Sequence, residues 1–427
     1  MAIFSILVFL LVVLAISDIK KAVACHLFLL PLVNINFLLS DLRFSEMIFF
    51  GWERKGLHFD GVSIVLLNGF FLFNWIKRKI SFPKEPLVIL SFSAYVFFHI
   101  VSFAFNYQYK PYVQIWTIFE QSMYLVYLCG VLSLARENQN FRFFIVSFVL
   151  GVTASSLLVL LNYFLFFTEI IPDYKDLLVF RSLSGYETHG ISVPGPIPHR
   201  HFFSAILIVS LLLTFYILIN EYKEKMRWIF CLSAQAIAFV SAHSKGAILG
   251  LFFSFLFMSL KMRGKYFFFI FVSIFLSMAI VFSSVLLLTS KKMNLGSIYT
   301  SIYKSVEYRK YIFMKSLPLI RDDFWTGTGV DSFQEKFMNI EKKSVSSIPQ
   351  FRQPYGKVRN TSAHNFFLLK LVETGIGGFI AFLLFLSFFF LLSCTVTNAQ
   401  KALSNTYNNK ANVTVTSEVQ RGVTINF

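Results

Sequence analysis

The chain has 427 residues, 56% of them hydrophobic and 14% charged, with a mean hydropathy of +0.65 and a formal charge of +17. Soluble domains carry about 25% charged residues, so this composition excludes one and indicates an all-α, polytopic integral membrane bundle. The four cysteines, Cys25, Cys129, Cys231 and Cys394, are scattered through apolar segments without a C-x-x-C pair, and so point to neither a disulfide framework nor a zinc site.

Hydropathy predicts about eleven to twelve transmembrane helices. Eleven can be placed in chain order: Ala2–Ser17, Ala22–Ser40, Gly61–Ile76, Pro86–Asn106, Tyr112–Ala135, Phe141–Phe167, Phe202–Asn220, Trp228–Ala242, Ala247–Leu260, Tyr266–Thr289 and Ala363–Thr395. The first is followed by Asp18-Ile19-Lys20-Lys21 rather than by small residues suited to cleavage, and reads as a retained span. Domain organisation follows: N-terminal helices over 1–140, a membrane region over 141–395 that carries the long outer loops, and a polar tail over 396–427.

Lys and Arg gather in the short connections Asp18–Lys21, Lys77–Glu85, Arg136–Arg142, Glu221–Arg227 and Lys261–Lys265, which the positive-inside rule makes cytoplasmic. The other set then faces outward, with two long loops, Thr168–His201 and Ser290–Ser362. The second has thirteen basic and six acidic residues and amphipathic pieces such as Ile312–Ile320, so it is expected to form a partly helical extracytoplasmic cap that favours an anionic ligand. Its cations are dispersed rather than set in a stripe, which argues against nucleic acid.

Chemistry-bearing residues concentrate on that outer side. His364-Asn365 ends the long loop and opens the last span, followed by Gly375 and Gly378 in the pattern H-N-x9-G-x-x-G. At 100° per residue, positions 364, 375 and 378 of one helix fall within about 40° of a common stripe, where the glycines let a neighbour approach closely. Glu373 lies on the opposite face with Lys370 at i,i+3, as in a helix-stabilising pair. Lys245 sits in a tight outer turn, where a snorkelling role is the simpler alternative. Arg181 and the approach Pro198-His199-Arg200 occupy the first long loop, where Arg200 can equally be an interfacial anchor. Arg309 precedes Gly327-Thr328-Gly329, which by itself signals only a tight turn.

Outward-facing arginines and a lysine suit a diphosphate, Arg as a planar fork and Lys as a point charge. With a diphosphate leaving group, the task at the transition state is to stabilise developing phosphate charge. A histidine beside it has two available roles, base for an acceptor hydroxyl or donor to the diphosphate, and the sequence leaves both open.

On these motifs, over roughly residues 140–390, the chain resembles the bacterial O-antigen ligase and O-antigen polymerase superfamily: His364-Asn365 with Gly375 and Gly378, Gly327-Thr328-Gly329 followed by Phe333, Arg309, Ser244-Lys245-Gly246-Ala247, and Arg181, Gly185 and Pro198-His199-Arg200. The resemblance implies an inner-membrane glycosyltransferase with a periplasmic active site, needing neither metal ion nor cofactor. Its partners would be an undecaprenyl-diphosphate-linked glycan donor, a lipid A-core or glycan acceptor, and membrane lipid. His364 would be catalytic, while Arg181, Arg200, Lys245, Arg309 and Asn365 would bind the diphosphate or substrate. Two departures stand out: Ser244-Lys245 replaces the family's usual Ser-Arg, losing the bidentate fork, and the last span gives way to a polar tail where the family commonly has about twelve spans, as in a truncated or divergent C-terminus. A ligase acting in lipopolysaccharide biosynthesis is the first expectation, a repeat-unit polymerase for O-antigen or other polysaccharide the second. A non-catalytic lipid-linked glycan transporter is the third, disfavoured by the near absence of charge within the spans.

Overall fold

The computed structural model describes residues 2–32, 59–108, 111–136, 138–168, 200–220, 224–241, 247–248, 250–254, 310–330, 332–333, 336–337 and 367–388. Among them every regular element is a helix: α1 (Ala2–Ser17), α2 (Ile19–Leu29), α3 (Phe59–Ile76), α4 (Pro86–Asn106), α5 (Pro111–Ala135), α6 (Asn138–Thr168), α7 (Arg200–Asn220), α8 (Lys225–Ser241), α9 (310–322) and α10 (Phe367–Phe388). Four of these elements, α4, α5, α6 and α10, contain stretches long and apolar enough to cross a bilayer, and shorter apolar helices accompany them.

Large apolar side chains are exposed while many polar ones are buried. Ile16, Phe105 and Phe9 are 70% or more exposed, whereas Ser156, Ser204, Thr214 and Gln235 are fully buried. Apolar side chains face outward where lipid is the solvent, and polar groups turn inward to find partners. Composition, the apolar helices and this outward apolar surface together establish a multi-pass helical membrane protein.

The chain divides into two compact units, Met1–Phe82 with Val126–Ser301, and Pro83–Leu125 with Ile302–Phe427; the boundary at 125/126 falls within α5. In unit 1, α2 packs on α6, α8 on α6 and α7, and α1 on α2 and α3. Asp18 starts α2 by accepting the Lys20 amide at 2.9 Å, so this helix begins three residues before the apolar run that announces it. Gly151 of α6 meets the Phe28 carbonyl of α2 so closely that a Cβ would collide with main-chain atoms. Val152, Phe203, Leu207, Leu211, Phe215 and Phe239 fill the space between α6, α7 and α8.

Neutral hydrogen bonds tie these three helices. Gln235 Nε2 donates to Thr153 Oγ1 at 2.8 Å, and Gln235 Oε1 accepts from Thr214 Oγ1 at 3.2 Å. A second polar pair joins α2 to α5, with His26 Nδ1 2.8 Å from the Tyr127 hydroxyl.

Candidate active site

Unit 2 builds its site around a turn and a broken helix. After α9, the Gly327 amide donates to Asp323 O at 2.8 Å and the chain enters Gly327-Thr328-Gly329. Both glycines are left-handed, φ 72° and 102°, a conformation that side-chain-bearing residues rarely adopt. That geometry turns two successive amides toward α10: Thr328 N reaches Val372 O at 2.8 Å, and Gly329 N reaches Glu373 O at 3.3 Å. Ser332 Oγ secures the turn by donating to Gly329 O at 2.6 Å.

These carbonyls are free to accept because α10 does not continue its own ladder there. Gly375 has φ 66°, and Ile376 N donates to Phe324 O at 2.9 Å. Ser102 Oγ of α4 also donates to Glu373 O, at 2.6 Å. The break is a sharp bend. Phe367 and Phe382 are 15 residues apart (382 − 367), about 22 Å along a straight helix, yet their ring centroids are 6.1 Å apart. The arms before and after Gly375 therefore fold back toward each other.

The bend explains the G-x-x-G spacing. A Cβ on Gly375 would strike the Trp325 carbonyl oxygen, and one on Gly327 would strike the Glu373 carbonyl and the Gly375 nitrogen. A Cβ on Gly378 would collide with Thr374 of the first arm. The expected stripe through 364, 375 and 378 presupposed one unbroken helix, and the reversal at Gly375 removes that premise. The neighbours that the glycines admit are the 325–327 turn and the helix's own first arm.

α4 and the loop complete the frame. Asn106 Nδ2 donates to Gly327 O and to Ser102 O, both at 3.0 Å, while its Oδ1 accepts from Lys336 Nζ at 3.2 Å. Lys336 also pairs with Asp323 at 3.3 Å. Ile312, Leu319, Phe333 and Phe337 pack with Leu368 and Val372 of the first arm. The second arm packs on α4 instead, through Phe382 against Tyr95 at 5.5 Å and Phe385 against Phe92 at 4.7 Å.

Within this frame lie two charges whose burial the sequence reading missed. Lys370 and Glu373 do pair at i,i+3, with Nζ 3.7 Å from Oε2, but both are buried rather than set on a solvated face. α10 thus carries one buried charged pair inside an apolar segment. The signal was a Lys and a Glu within a 22-residue apolar stretch, which in a membrane points inward by default.

Of the sequence-predicted site residues, Gly375 and Gly378 are brought to the bend beside Gly327, and Arg200 opens α7 in unit 1. His364, Asn365, Arg181, Lys245 and Arg309 lie outside the described residues. In comparison with known proteins, the family model described as O-antigen ligase matches residues 229–383. The match supports the superfamily read from the motifs, and it contains Lys245, Arg309, His364, Asn365, Gly375 and Gly378, while Arg181 and Arg200 precede it. The matched stretch runs through both units, and the bend of α10 lies within its C-terminal part. Members of the family are glycosyltransferase-like enzymes of the ligase or polymerase type. No curated relative and no solved structure matches the chain.

Proposed function

We propose that the chain transfers a glycan from an undecaprenyl-diphosphate carrier to an acceptor on the periplasmic face of the inner membrane, as an O-antigen ligase with lipid A-core as acceptor. The observation that carries this reading is the O-antigen ligase match over 229–383, which encloses His364-Asn365 together with the Gly327 turn and the Gly375 bend. In this reading His364 works at the acceptor hydroxyl or the diphosphate. Arg181, Arg200, Lys245 and Arg309 offset the charge that develops as the sugar–phosphate bond breaks, and Asn365 holds substrate beside them. The transfer balances without a cofactor: the acceptor oxygen bonds to the anomeric carbon, the carbon–oxygen bond breaks with its electron pair leaving on the diphosphate, and the hydroxyl proton passes to His364 or to that diphosphate.

A second reading, transport of a lipid-linked glycan, draws on the buried Lys370–Glu373 pair and the discontinuous α10, features that line midplane sites in transporters. His364→Ala separates the two. The ligase reading expects normal insertion with transfer lost by a factor of about 100 or more, the range of general acid–base catalysis. Unchanged transfer by inserted protein overturns it. In a deletion strain, loss of all lipopolysaccharide banding marks a ligase, and retention of a single added unit marks a polymerase.

A further inference from the structure

One buried ring in unit 2 has a polar atom that the fold leaves unserved. His99 of α4 is fully buried, and its Nδ1 lies 2.8 Å from the Tyr95 carbonyl oxygen. A carbonyl can only accept, so Nδ1 carries a hydrogen, and in the neutral ring Nε2 is a bare lone pair. Nε2 has no hydrogen-bond partner among the described residues. Buried polar atoms of this kind call for an explanation, commonly a water or an ion.

The neighbours supply a second, independent observation. Lys370 Nζ lies 6.0 Å from the Tyr95 ring centroid, and the Tyr95 ring lies 4.3 Å from that of His99. Its 3.7 Å separation from the Glu373 carboxylate exceeds the length of a direct charge-assisted hydrogen bond, about 2.8 Å. Beyond about 3.5 Å, a polar contact between buried groups is where a bridging water belongs.

We propose that His99, Lys370 and Glu373 bind one internal water between α4 and the first arm of α10. The water donates to His99 Nε2 and to the Glu373 carboxylate, and accepts from the Lys370 ammonium. Three such partners are typical of buried water. One molecule accounts for both the unserved nitrogen and the long ion pair. The site is independent of the glycan-transfer reading.

The test uses the full chain, labelled with 15N-histidine, in nanodiscs of phosphatidylcholine free of glycolipid. Solid-state NMR is expected to show His99 Nε2 displaced from the free-imine position and cross-peaked to water protons. Subtracting the spectrum of His99→Gln identifies the resonance. Should that variant not fold, 13C-tyrosine labelling identifies it instead, through the Tyr95 ring 4.3 Å away. A free-imine resonance, a direct cross-peak to the Lys370 ammonium, or a hydrogen bond formed only after glycolipid is added overturns the proposal.

Discussion

The two units solve the same problem, polar groups inside a membrane protein, in opposite ways. Unit 1 keeps regular helices and joins them through neutral groups, Gln235 with Thr153 and Thr214, each threonine also bonded to a carbonyl of its own helix. Unit 2 breaks a helix at Gly375, spends the freed backbone groups on the Gly327 turn and Ser102, and buries a Lys–Glu pair beside the break. Neutral, locally satisfied polarity can be removed cheaply because each partner retains a bond. Polarity that rests on a unique backbone path and on opposite charges cannot.

The sharpest way to break this contrast is Gly375→Ala. A non-glycine residue at φ 66° costs about 1–3 kcal/mol in backbone strain, and here the new Cβ also meets the Trp325 carbonyl, which cannot rotate away. Protease resistance of unit 2 in membranes should be lost; survival of a resistant, correctly inserted protein would show that the bend is not obligatory. Next comes Lys370→Met, which leaves Glu373 buried without its counter-charge and should cost about 3–5 kcal/mol. The double variant Lys370→Met with Glu373→Met should recover most of that loss, and thermal melting in nanodiscs would show whether it does.

Smaller effects follow for individual hydrogen bonds. Gln235→Leu in unit 1 removes two interhelical bonds, at about 0.6 kcal/mol each in membranes and so about 1.2 kcal/mol together, and should leave glycan transfer unchanged. Ser102→Ala removes one donor from Glu373 O, which keeps the Gly329 amide, so a loss of about 1 kcal/mol is expected. A larger penalty for Gln235→Leu than for Lys370→Met would invert the comparison.

Helix ends marked by polar or Pro punctuation were legible in the sequence. Pro86–Asn106 is found with the predicted bounds, and Ala2–Ser17 likewise. The start of α2 was misplaced because Lys20 and Lys21 look like connection, while the Asp18 cap draws them into the helix. The bend escaped notice because hydrophobic periodicity assumes constant dihedrals: an apolar run through Ile376-Gly377-Gly378 reads the same whether Gly375 is right- or left-handed. The G-x-G of the loop and the G-x-x-G of α10 were each noted, but their meaning lies in mutual contact, which no local window contains.

Gly327 and Gly375 also constrain how this sequence can drift. Each blocks a side chain on the other with main-chain atoms, the Gly375 nitrogen on one side and the Gly327 nitrogen, 2.7 Å from a Cβ at 375, on the other. A neighbouring side chain that obstructs can be pared down by a later substitution, but a peptide nitrogen is present whatever residue carries it. No compensating mutation elsewhere can therefore open the way, and descendants of this chain that retain the bend are expected to retain both glycines, however far the surrounding apolar positions diverge.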